Sequence, residues 1–436
     1  MVNKTNPIVT YRQINEAFNK NHEAVMQNAE KEASKATEDP LELAMMLASL
    51  GDALKELESI DKGSGAGVLL AADHSEASLL QSFLAKQSAA EGNLKPLAAG
   101  GQEAKFDEKD LGRWFLSLFS WWKGIKPHPW QPAPILPDPF PAGGGALRLA
   151  LLGDWGTGLY GAPACGSSIE SDRTGYQMLF HLGDVYYSGD DDEISERFLH
   201  YWPTNAGAIS RALNSNHEMY TGGKAYFQQT LKQFGQQASY FAFQNDHWLL
   251  VGLDSAYADP DLRYDKAQLT EDQVSWLTNL ANNKGDRKMI LFSHHQPMSW
   301  FDAQKGIMNN QLGSLLVDKK IFAWYWGHEH RCILYDQHPN WGFYGRCAGH
   351  SGYPYFRDKL GNAPVEMQTG GMKWRRMPAA KFAPGGLILD GPNSYISGEE
   401  EKYGANGYMT LEFNGDKLNE IVHAPDSTRL YERELA

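Results

Sequence analysis

Cysteine is scarce: the 436 residues hold three, Cys165, Cys332 and Cys347, widely spaced and odd in number. That excludes a disulfide framework and suits a reducing compartment. No apolar run approaches the ~20 residues needed to cross a bilayer. The first residues, Met1-Val-Asn-Lys-Thr-Asn-Pro7, lack an apolar core behind positive charges. Neither a transmembrane segment nor a cleavable signal is therefore expected; the reading is cytoplasmic, with a signal-independent export route left open. Positive charge is short too. A net charge of −13 argues against general nucleic-acid binding, which needs a basic face. What is present suits a globular protein, with 42% hydrophobic and 21% charged residues. The length exceeds one ordinary core and predicts two domains.

Residues 1–125 read as an all-helical N-terminal domain of unknown role. Asp39-Pro40 offers an N-cap followed by proline. Leu43, Met46, Leu47, Leu50, Leu54 and Leu57 then repeat at helical spacing. Gly63–Gly67 interrupts the pattern, and Ser75 caps a second helix carrying Leu79, Leu80, Phe83 and Leu84. The apolar stripe offers a surface for oligomerisation or partner docking. The aromatic stretch Leu111–Trp122 is expected to pack this region onto the next domain, with a membrane-surface helix the alternative. Residues 126–146, crowded with proline and closed by Gly143-Gly-Gly145, read as a semi-stiff linker.

From residue 147 to 436 strands alternate with helical patterns, the signature of α/β layering. Asn245-Asp246 and Asn414-Gly-Asp416 mark hairpins. Thr270 caps a helix with Val274, Leu277 and Leu280 inward. Lys288–Ser293 and Ile321–Trp326 are further buried strands.

Chemistry collects where these runs stop. Leu149-Ala-Leu-Leu-Gly-Asp-Trp-Gly156 ends on Asp154, and Met178-Leu-Phe-His-Leu-Gly-Asp184 on Asp184. Asn216-His-Glu218 follows Leu213. Phe292-Ser-His-His295 and Gly327-His-Glu-His330 end later strands. Carboxylate and amide oxygens suit hard cations and imidazole suits borderline ones. Each ending alone is a weak signal; the full set in this order is specific.

That order resembles the calcineurin-like metallophosphoesterase superfamily. Two variants resemble its purple acid phosphatase branch: Asp154-Trp-Gly156 lacks the usual histidine, and Gly183-Asp-Val-Tyr-Tyr187 supplies a tyrosine. The resemblance implies a four-layer αββα sandwich. It also implies a phosphate-ester substrate and two metals sharing Asp184, with Asp154, Tyr187 and His330 on one and Asn216, His294 and His328 on the other. The metals would be iron paired with iron, zinc or manganese. Such pairs sit roughly 3.5–4 Å apart and clamp both oxygens of an in-line displacement. Hydroxide held between them would attack phosphorus, and His217 would be the general acid. Monoester hydrolysis is the leading expectation. Phosphodiester hydrolysis of nucleotide or phospholipid esters, and a non-catalytic scaffold, are the alternatives. His295, His350 and Arg346 are candidate substrate contacts, with a structural ion pair the alternative for Arg346. Lys373-Trp-Arg-Arg376 is expected to be a solvated loop, with a local positive patch for a larger anion the alternative. Ser215 stands where the third motif usually has glycine, so an altered turn is expected before Asn216.

Overall fold

A computed structural model describes residues 125–436 except 133–135, 142–145, 159–160, 205–206, 260–265, 302–305, 354, 361 and 397–399. Between residues 48 and 82 it describes scattered positions. Ala48, Gly51–Ala53 and Lys55 are helical, as are Ser75 and Ala77–Ser82. Most of the Leu43–Leu57 stripe, Gly63–Gly67 and Leu111–Trp122 lie outside the described residues. The chain divides into two compact units, residues 1–127 with Tyr220–Gly222, and His128–Met219 with Gly223–Ala436.

The second unit is built from strands β1 (Asp138–Pro139), β2 (Leu147–Leu152), β3 (Met178–His181), β4 (Ile209–Ala212), β5 (Phe241–Gln244), β6 (Trp248–Leu253), β7 (Lys288–Ser293) and β8 (Ile321–Trp326). Further along the chain come β9 (Cys332–Gln337), β10 (Tyr344–Ala348), β11 (Val365–Thr369), β12 (Met372–Met377), β13 (Gly386–Asp390), β14 (Tyr408–Asn414), β15 (Lys417–His423) and β16 (Arg429–Glu434). One sheet has the order β1-β5-β6-β7-β8-β10-β9-β13-β12-β11 and the other β16-β15-β14-β2-β3-β4.

Alternation along the strands makes four layers. In β2, Leu147, Leu149 and Leu151 face a core shared with Trp248 and Leu250 of β6 and Phe292 of β7, between the sheets. Ala150 and Leu152 face outward onto the helix α1 (Gly161–Ser171) through Ala162, Cys165 and Ile169. On the other sheet Leu249, Val251 and Leu253 meet Leu277 and Leu280 of α2 (Glu271–Asn283). Fully burying one such side chain contributes about 1.5–3 kcal/mol. Thr270 caps α2 through the Gln273 N–H, and both hairpins form.

Two sequence readings need correction. The proline-rich segment is not only a linker: β1 pairs in parallel with β5, and Trp130 stacks on Tyr240 and donates to Asp272. A sheet edge tolerates proline because one side needs no ladder donor. Lys373–Arg376 lies in β12 between β11 and β13, with Trp374 buried, Arg375 paired to Asp390 and Arg376 to Asp336.

Candidate metal centre

Parallel pairing sets the C-terminal ends of β2, β3 and β4 side by side, and those of β7 and β8 likewise on the facing sheet. Open α/β sheets bind ligands at such ends. Hydrogen bonds tie the two sets together. His294 Nδ1–H donates to the Leu182 carbonyl at 2.8 Å, and His328 N–H donates to Asp154 Oδ1 at 2.8 Å.

The backbone around these ends is strained. Seven described non-glycine residues have positive φ, and four of them are Asp154 (53°), Asp184 (74°), His328 (67°) and His330 (55°). Such conformations cost on the order of 1–3 kcal/mol each and persist where surroundings over-determine them, commonly at functional sites.

Donor atoms of Asp154, Asp184 and His330 lie within 4.8 Å of one another, as do those of His294, His295 and His328. Asp184 spans the groups: Oδ1 is 3.2 Å from His294 Nε2 and Oδ2 is 3.5 Å from His330 Nε2. Asn216 Oδ1 is 2.9 Å and His328 Nδ1 3.2 Å from that same His294 Nε2. Six of the seven predicted ligands are thereby gathered.

The electrostatics call for a cation. With its Nδ1 proton on Leu182 and burial pushing its pKa down to about 3, neutral His294 turns a bare Nε2 lone pair toward a carboxylate oxygen. Among the described residues, neither Asp184 oxygen nor Asp154 Oδ2 has a hydrogen-bond donor. Burial, then the charge of Asp184, pushes the Asp154 carboxyl well above the usual range. Unpaired buried acceptors cost several kcal/mol, of order 1–3 each; a shared cation would satisfy them. Space for it on the Asp154 side depends on Gly349, where a Cβ would come 1.7 Å from Asp154 Oδ2.

The seventh predicted ligand is displaced by its neighbour. Tyr186, not Tyr187, has its hydroxyl 2.9 Å from His330 Nε2. Tyr186 N–H is held by the Gly156 carbonyl beside the end of β2. Tyr187 faces Arg197, whose guanidinium lies 5.8 Å from its ring centroid.

His217 is fully buried, stacked on Tyr186 with ring centroids 3.7 Å apart. Its Nδ1–H donates to the Tyr187 carbonyl at 2.6 Å, since a carbonyl can only accept. The neutral ring thus carries its proton on Nδ1. Ser215 does not distort the turn. Its φ is not positive, and its hydroxyl caps the His217 N–H at 3.1 Å.

The three predicted substrate contacts fare differently. His295 sits against His328, ring centroids 4.7 Å apart, with Nδ1 2.9 Å from Ser255 Oγ. Arg346 is fully buried between the sheets, 2.7–2.9 Å from Glu420, and donates to the Tyr335 carbonyl. It is a structural ion pair, because its strand runs through the core. His350 is also fully buried, against Gly407 and outside both donor groups. Sequence reasoning missed Tyr186, Gly349 and Glu218. The last had a visible signal in Ser215-x-x-Glu218, a capping-box pattern.

Residues 147–332 match the family model of the calcineurin-like phosphoesterases. Among solved structures, the chain is similar to a purple acid phosphatase from yellow lupin (Lupinus luteus) seeds, at 12% identity and a TM-score of 0.45, over 70% of this chain and 55% of that one. It is also similar to PhoD, at 11% identity and a TM-score of 0.42, over 69% of this chain and 73% of that one. The chain thus spans about half the length of the lupin phosphatase. No curated protein sequence matches. Among the described residues no helix is long and apolar enough to cross a membrane. Motif order, two-sheet sandwich and family match coincide over the same stretch: residues 147–332 match the calcineurin-like phosphoesterase family.

Proposed function

We propose that this domain hydrolyses phosphate monoesters at a pair of metal ions that share Asp184. One observation carries the reading: the ligand atoms of Asp154, Asp184, Asn216, His294, His328 and His330 converge at the strand ends, around the two buried carboxylates. Asp154, Asp184, His330 and the Tyr186 phenol would hold the first ion. Asp184, Asn216, His294 and His328 would hold the second, with His295 at its edge. Carboxylate and phenol oxygens suit iron at the first position; imidazole and amide donors admit iron, zinc or manganese at the second. Two such ions lower the pKa of bound water toward ~7 and stabilise the attacking and departing oxygens.

The protein's own contribution is geometric. The Tyr187 carbonyl fixes the His217 tautomer and leaves Nε2 to protonate the departing oxygen, a role worth about 10²–10⁴ in rate. The buried strand ends hold the ligand set in place before substrate arrives.

Elemental analysis of the purified chain, with hydrolysis of p-nitrophenyl phosphate against bis-p-nitrophenyl phosphate, tests the proposal. Two ions per chain and faster monoester turnover are expected, both lost in Asp184→Asn. Preference for the bis ester would make the domain a phosphodiesterase. A loaded chain inert on both would point to a scaffold.

A further inference from the structure

The turn that carries Asn216 and His217 is bound to the loop that carries Asp184, and one hydroxyl sits at the junction. Ser215 Oγ–H donates to Glu218 Oε2, and Ser215 Oγ accepts from His217 N–H at 3.1 Å. The same Glu218 oxygen accepts the main-chain N–H of Asp184 at 3.3 Å. A continuous path thus runs from the backbone of the shared carboxylate, through Glu218 and Ser215, to the backbone of His217. Two further contacts close the loop against the turn: His217 Nδ1–H on the Tyr187 carbonyl, and the Tyr186 ring stacked on His217.

Glycines make room for this clamp. A Cβ on Gly183 would meet Ser215 Cβ at 2.8 Å, and one on Gly189 would meet Glu218 Cα at 2.7 Å. Ser215, Glu218 and Asp184 are all buried, so water does not readily replace the hydroxyl. In an ordinary capping box serine and glutamate serve their own helix turn. Here the glutamate reaches across to another strand's loop.

We infer that Ser215 is a positioning residue, which through Glu218 and the His217 main chain sets the general acid relative to the shared carboxylate. This rests on the phosphomonoesterase reading above. Removing the hydroxyl lets the His217 ring drift while the donor atoms of the centre stay in place. Proton delivery then suffers, and leaving groups that need a proton reveal it. p-Nitrophenolate departs unprotonated; an alkoxide does not.

Ser215→Ala, Ser215→Thr and the wild type would be compared for metal content, thermal melting, and kcat and KM on p-nitrophenyl phosphate and glycerol 2-phosphate. Ser215→Ala is expected to keep two ions per chain and its p-nitrophenyl turnover within about threefold. It should lose about tenfold or more in kcat on the alkyl ester, with KM unchanged, because general-acid catalysis is worth at least that much. Ser215→Thr, retaining the hydroxyl, should recover most of the loss. Equal effects on both esters, no effect on either, or loss of metal from a folded Ser215→Ala would overturn the inference. If Ser215→Ala does not fold, Ser215→Thr decides: a selective alkyl-ester defect despite the retained hydroxyl overturns it, and near-normal turnover of both esters upholds it. A wild type loaded with metal yet inert on both esters would instead remove the reading beneath it.

Discussion

The Tyr186 hydroxyl lies 2.9 Å from Nε2 of His330, while the adjacent Tyr187 is turned to Arg197. A phenol that binds ferric iron gives a visible charge-transfer band. We expect Tyr186→Phe to abolish that band in iron-loaded protein and Tyr187→Phe to leave it intact. The reverse pattern in an absorption spectrum would return the ligand role to Tyr187.

Arg346 and Glu420 join β10 of one sheet to β15 of the other inside the sandwich, with the Tyr325 hydroxyl also on Glu420 at 3.2 Å. Breaking a buried pair by removing one partner strands the other charge and costs about 3–5 kcal/mol. Arg346→Met should lose that much in urea unfolding, whereas KM for p-nitrophenyl phosphate in the folded fraction should not move. A raised KM with intact stability would mean that Arg346 meets the phosphate after all.

Gly349 leaves Asp154 Oδ2 open. Its φ is not in the left-handed region, so alanine adds volume without backbone strain. The methyl group would overlap the carboxylate oxygen and displace it from the centre. Gly349→Ala should bind about one ion fewer per chain by mass spectrometry and lose turnover, while near-ultraviolet dichroism stays close to wild type. Full metal content would refute this account of the glycine.

Acid should destabilise the second unit through histidines buried neutral. Burial pushes His423 and His350 down to about 4, against ~6.5 in the unfolded chain. Between those values the unfolded chain binds more protons, so their contribution is complete above about 6.5 and is lost as pH falls toward 4. Each unit of separation is worth about 1.4 kcal/mol. His423 Nε2 accepts from Thr410 Oγ1, since its Nδ1 faces the Ser427 carbonyl; glutamine keeps an acceptor there. Denaturant titrations of metal-free protein at pH 7.5 and 5 should show a shallower acid loss in His423→Gln than in wild type.

Much of the site is legible in the sequence because strand-end chemistry and alternation are local. Leu147–Leu152 and Met178–His181 announce buried strands, and each must stop where its apolar run stops, which fixes Asp154 and Asp184 at the ends. Hairpins at Asn245-Asp246 and Asn414-Gly-Asp416 arise from turn residues whose backbone preferences act within four positions. The ligand order along the chain is readable for the same reason.

Which side chain points where was decided by tertiary packing. Tyr186 and Tyr187 are chemically identical neighbours; Gly156, His217 and Arg197, distant in sequence, determine which hydroxyl reaches His330. The role of Arg346 is settled by β15, which brings Glu420 against it, and Lys373–Arg376 becomes a strand because β11 and β13 pair with it. The sequence by itself determined the strands and the kinds of donor atom at their ends, since these depend on short-range periodicity. Only the folded sandwich decided which donors face one another, because that depends on the register and approach of two sheets whose strands are far apart in the chain.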